Sequence, residues 1–163
     1  MTHDIDGALD RQFLLRAVAL SKERMEAGLG GPFGAVIVRD GKILAEGWNE
    51  VTSTLDPTAH AEVTAIRRAC VAVGDFSLAG ATLYSSCEPC PMCLAAIYWA
   101  RIDRLVYANT REEAAAIDFD DAFLYEQVAL EPSARAMPTD HLPLTEARDV
   151  FELWRVKPDK IAY

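Results

Sequence analysis

Three of the chain's four cysteines fall within one short run, Cys87-Glu-Pro-Cys90-Pro-Met-Cys93, each three residues from the next. That spacing suits an iron–sulfur cluster, a redox pair or a zinc site. A cluster of the C-x₂-C-x₂-C-x₃-C type wants a further cysteine where this chain has Ile97. A redox pair, Cys87 with Cys90 or Cys90 with Cys93, fits a helix start that lowers a thiol pKa, but it gives the residues upstream no part.

Those upstream residues are His60-Ala61-Glu62. A catalytic zinc needs three protein ligands and one open tetrahedral position, where a bound water ionises near neutral pH. His60, Cys90 and Cys93 supply the three ligands. Glu62 is then free to move protons as a general acid and base. The combination H-x-E followed by P-C-x-x-C, completed here by Pro89, is the signature of zinc-dependent deaminases of bases and nucleosides. A closed, purely structural zinc site is the non-enzymatic alternative; it would leave Glu62 idle.

Such a site constrains the backbone around it. Residues two apart on a regular helix point in divergent directions, so His60 and Glu62 share a site only at an irregular helix start, which Asp56-Pro57-Thr58 favours. Cys90 just ahead of Pro91, with Cys93 one turn on, places both sulfurs at a helix N-terminus, where the dipole favours thiolates. Cys87 reads as packing at a strand end, and Cys70 as core on the apolar face of its helix. His3 and His141 have no partners at ligand spacing and are assigned no role.

The surrounding elements follow from periodicity. Leu9, Phe13, Leu14, Ala17, Leu20 and Met25 recur at helical spacing, and "GLGGP" ends the pattern. "GAVIVRDGKILAEG" reads as a hairpin turning at Asp40-Gly41. "AEVTAIRRACVAVG" is a helix closed by Gly74; "ATLYSS" is a buried strand; "PMCLAAIYWA" is a helix opened by proline; "RLVYAN" is a further strand. "TREEAAAI" and part of "DFDDAFLYEQVAL" are expected to be helical, "EPSARAMPTDHLPL" a surface connection, and "TEARDVFELWRV" a last helix. Helix and strand alternation after a hairpin predicts one three-layer α/β/α domain over 1–163 with a mixed sheet.

Composition narrows the partners. The formal charge is −9, from 25 acids against 16 bases, which opposes nucleic-acid binding and favours a small-molecule substrate. No apolar run is long enough to cross a membrane, and clustered cysteines in a chain of 163 residues fit a reducing, cytoplasmic setting.

Beyond the zinc motif, "GGPFGAVIV", "DPTAHAEVTAIR", "SCEPCPMCLAAIYWAR", "FDDAF" and the final tyrosine resemble, in residues and spacing, the cytidine deaminase superfamily and most of all its bacterial guanine deaminases. The resemblance implies a cytidine-deaminase-like fold with a five-stranded sheet and one Zn²⁺ per subunit. It also implies a homodimer in which the C-terminal segment 141–163 crosses to complete the partner's site. Carried over by position, Phe33 and Trp99 would border a purine base, Asn49 and the Ala61 backbone would bond its edge, and Asp121 and Tyr163 would recognise the remaining polar groups. The implied reaction converts guanine to xanthine and ammonia, Glu62 taking a proton from the attacking water, passing it to ring N3, then protonating the departing amine. Alternatives within the superfamily are tRNA adenosine deaminase, where a valine commonly stands at the position of Phe33, and deaminases of cytosine, cytidine or another aminated base.

Overall fold

The computed structural model describes residues 7–163, so His3 lies outside the described residues. The order of elements is α1 (Gly7–Glu26), β1 (Gly34–Arg39), β2 (Lys42–Trp48), α2 (Val51–Thr54), α3 (Ala61–Val73), β3 (Thr82–Cys87), α4 (Pro91–Trp99) and β4 (Arg104–Asn109). After β4 come α5 (Arg111–Ala115), α6 (Ala122–Ala129), a 3₁₀ turn (Pro132–Ala134) and α7 (Thr145–Val156). None of the described helices is long and apolar enough to cross a membrane.

The strands form one mixed sheet in the order β2-β1-β3-β4, with β1 antiparallel to both β2 and β3, and β3 parallel to β4. The expected hairpin is present: Asp40 and Gly41 both take positive φ, 52° and 70°, between Arg39 and Lys42. This is the backbone that the right-handed twist of a two-residue hairpin demands.

Strand alternation divides the core into two. Ala35, Ile37 and Leu83 face α3 and α4, packing with Ala61, Ala65, Ala69 and Ile97. Val36, Val38 and Tyr84 face the opposite way, onto Phe13, Ala17 and Leu20 of α1. Helices thus cover both faces, as the α/β/α reading requires. Across the α1 face, Arg104 of β4 makes a bidentate pair with Asp10 at 2.8 and 2.7 Å, and Tyr84 donates its hydroxyl to the same carboxylate at 2.7 Å.

The sheet has four strands among the described residues, which corrects the five that the resemblance implied. Beyond Asn109 the sequence has no β-rich run: a capping box from Thr110 to Glu113 starts α5 at once, and acids and prolines fill the connections that follow. β4 is therefore an edge, its last residues Tyr107, Ala108 and Asn109 exposed.

α7 spans the predicted "TEARDVFELWRV", but it buries none of its residues. Val150, Phe151, Leu153 and Trp154 all stand exposed, Phe151 at 79%.

Candidate active site

The first turns of α3 and α4 meet at one end of the sheet. His60 precedes α3 with an extended backbone (φ −69°, ψ 158°), and Cys90 precedes α4 in the same way (φ −67°, ψ 169°). Neither side chain caps its own helix, so each is free to reach across. The extended residue is the irregular start that lets His60 and Glu62 work together, because only Glu62 lies within the helix. Close approach is possible because β2 has Gly47 where α3 passes: a Cβ there would lie 2.2 Å from the Ala61 carbonyl.

His60 Nδ1 lies 3.6 Å from Cys90 Sγ and 3.5 Å from Cys93 Sγ, and the three donor atoms lie within 4.8 Å of one another. Tetrahedral zinc, with bonds of about 2.3 Å to sulfur and about 2.0–2.1 Å to nitrogen, sets a nitrogen and a sulfur about 3.6 Å apart. The donor set fits that ion in both element type and spacing. The Cys93 thiol donates toward Cys90 and holds the Cys90 thiol down at about 4, while the same partnership and burial push Cys93 well above the thiol range.

Glu62 is buried, and burial raises its pKa from the ordinary carboxylate value. Ser85 of β3 donates its hydroxyl to Glu62 Oε1 at 3.0 Å. The segment ahead of Cys90 is also fixed: Tyr125 donates to the Pro89 carbonyl at 2.8 Å, and the Arg111 amide donates to Glu88 Oε2 at 3.1 Å.

His60, Glu62 and Cys90 open on a cavity of about 660 Å³, whose wall includes Phe33, Asn49, Phe119 and Asp121. That volume is within the usual range for a small-molecule site. Asn49 is buried, and its Oδ1 accepts from the amides of Gly31 and Val51, both at 3.2 Å. Phe119 stands edge-on to Phe33, centroids 4.9 Å apart. Asp120 bonds the Ala122 amide at 2.9 Å, whereas Asp121 makes no capping bond; its pKa is raised, chiefly by burial.

Six of the candidate site residues therefore share one cavity, Phe33, Asn49, His60, Glu62, Cys90 and Asp121, and Cys87, read as packing, also lines it. Cys93 is buried beside its partner sulfur and imidazole, and Ala61 is buried between His60 and Glu62. Trp99 and Tyr163 are not among the lining residues; both are largely exposed and lie against each other, centroids 6.1 Å apart. Cys87 is buried, its thiol pushed up to about 11 by desolvation, with Sγ 3.7 Å from the Thr110 carbonyl. Cys70 packs at the edge of the α3 core.

Sequence reasoning missed Ser85, Phe119 and Tyr125. Strand alternation from Leu83 would have aimed Ser85 at α3; Phe119 sits in an aperiodic loop that offered no comparable signal.

Residues 8–109 match the family model of the cytidine and deoxycytidylate deaminase zinc-binding region. This chain belongs to that family of zinc-binding deaminases. More particularly, it is 52% identical over 151 residues to the guanine deaminase of Bacillus subtilis, a match that covers 93% of this chain and 97% of that one. The X-ray structure of the Bacillus subtilis guanine deaminase superposes with a TM-score of 0.92, covering 94% of this chain and 98% of the other. A structure of guanine deaminase from Nitrosomonas europaea, 30% identical, superposes at 0.64 over 68% of this chain and 64% of that one. The tRNA-specific adenosine deaminase of Haemophilus influenzae is 43% identical over 123 residues, covering 72% of this chain and 70% of its own.

Proposed function

We propose that this enzyme hydrolyses guanine to xanthine and ammonia. One observation carries the reading: the buried Glu62 and the candidate ligands His60 and Cys90 open on one cavity, opposite an aromatic corner and an uncapped carboxylate. The near full-length similarity to a guanine deaminase supports the choice of base.

His60, Cys90 and Cys93 would hold a zinc ion, which would supply the Lewis acidity that activates water. Glu62 accepts a proton from the attacking water, delivers it to ring N3 and protonates the departing amine. Phe33 and Phe119 present flat and edge-on surfaces to a planar ring. Asp121, free of capping duty, accepts from the ring N–H groups that distinguish guanine from adenine. With both lone-pair sites of Asn49 Oδ1 engaged by Gly31 and Val51, its amide nitrogen is the group left to donate to a substrate acceptor.

The site is completed in a homodimer by the segment 141–163 of a second copy. Support comes from the apolar residues of α7, which stand exposed among the described residues, and from Trp99 and Tyr163, which lie outside their own chain's cavity. The acidic surface and the absence of a long apolar helix among the described residues fit an enzyme of the cytoplasm acting on a free base.

The test is ammonia release from guanine, adenine, isoguanine, cytosine, cytidine, guanosine and tRNA. Guanine should turn over fastest; a preference for tRNA or a pyrimidine would overturn the assignment of substrate, and no release from any amine would overturn the deaminase reading itself.

A further inference from the structure

We infer that Ser85 is a positioning residue for Glu62, anchoring one carboxylate oxygen and so holding the side chain in the orientation that proton transfer needs. The inference rests on the reading of Glu62 as the proton carrier.

Ser85 occupies an unusual place for a hydroxyl. It lies mid-sheet on β3, in register with Ala35 of β1 and Tyr107 of β4, and is 2% exposed. Its neighbours on that face, Ala35, Ile37 and Leu83, are apolar core. A hydroxyl there without a partner would be destabilising. The partner it has is Glu62 Oε1, at 3.0 Å.

The geometry gives that bond one direction. A serine hydroxyl has a single proton, and a carboxylate can only accept it. The Cys87 amide donates to Ser85 Oγ at 3.5 Å, which leaves the hydroxyl proton for Glu62. The strand pairing on both sides fixes the Ser85 backbone, and reorienting the Glu62 carboxylate would break a buried hydrogen bond. Oε1 is thereby occupied as an acceptor. The side chain is thereby held in one orientation for the proton transfer assigned to it.

The closing experiment compares Ser85→Val with Ser85→Thr, an isosteric pair that differs by the hydroxyl, alongside Ser85→Ala and Glu62→Gln. In Ser85→Val and Ser85→Ala, kcat should fall about 10–100-fold, the usual cost of losing a supporting hydrogen bond around a metal site. KM should stay within about threefold of the wild-type value, since substrate contacts are untouched. Zinc content should remain one per chain, Ser85→Thr should restore most of the rate, and a crystal structure of Ser85→Val should show the Glu62 carboxylate in more than one orientation. A wild-type kcat in Ser85→Val, an equal loss in Ser85→Thr, or a loss that tracks zinc content would overturn the role given to Ser85. Glu62→Gln separates the two levels: wild-type turnover in that variant overturns the reading of Glu62, whereas an inactive Glu62→Gln beside an unaffected Ser85→Val overturns the Ser85 inference alone.

Discussion

His60 and Cys90 hold the same position on two different helices: each is the extended residue immediately before the first turn, and neither uses its side chain to cap that turn. Two helix N-termini therefore face one point with their amide dipoles, and the groups placed there are those that a cation and its thiolates require. Cys93, in the first turn of α4, completes the set.

Ligand loss should follow this geometry. Cys90→Ala and Cys93→Ala should each lose zinc and turnover together, whereas Cys87→Ala should keep both. Metal analysis of the three purified variants checks this; zinc loss from Cys87→Ala would reassign the centre.

Glu62→Gln preserves shape and removes the acid–base function. Its zinc content should be unchanged and its kcat lower by about 10²–10⁴. Measurement of both quantities on one preparation separates proton transfer from metal binding.

A swapped C-terminal segment predicts complementation. Glu62→Gln and a chain truncated before Lys157 should each be inactive. Unfolded and refolded together, they should regain about a quarter of wild-type activity, because half the dimers are mixed and each of those has one intact site. Continued inactivity of the mixture would place the tail on its own chain.

The Asp10–Arg104–Tyr84 network should limit stability at both ends of the pH scale. The Arg104 hydrogen bonds hold the Asp10 carboxyl below its usual range, so its contribution is present above about pH 3.9 and is lost as pH falls through the lower folded value. Burial and Asp10 push the Tyr84 hydroxyl up to about 12, so its contribution is present below the unfolded value of 10.0 and is lost as pH rises through about 12. Asp10→Asn should cost about 2–4 kcal/mol at neutral pH by leaving Arg104 without its counter-charge. Denaturant melts across pH, with and without the substitution, measure all three effects.

Much of the centre was legible because its chemistry constrains residue type and spacing together. His60, Glu62, Cys90 and Cys93 have few other uses in that pattern, and "DPT" and Pro91 marked the two helix starts that bring them together. The hairpin was legible because Asp-Gly has one dominant turn geometry. The strand count was not, since the fifth strand came with the resemblance and no run of residues here encodes it. Nor was Phe119: a side chain on an irregular loop is aimed by tertiary contacts, here by Phe33, which leave no period in the sequence. α7 shows the converse case, a helix found where the sequence placed one, which buries none of its apolar residues among the described residues.

Asp120 and Asp121 both stand on the cavity wall but differ in what holds their carboxylates. The first also secures the Ala122 amide, whereas the second makes no capping bond. On the proposed reading, the carboxylate that would select the base and the one that secures the loop sit at separate positions, one residue apart. An engineer seeking a new base can vary Asp121 alone and keep the loop's scaffold intact, which makes this short acidic pair the natural place to begin redirecting the enzyme.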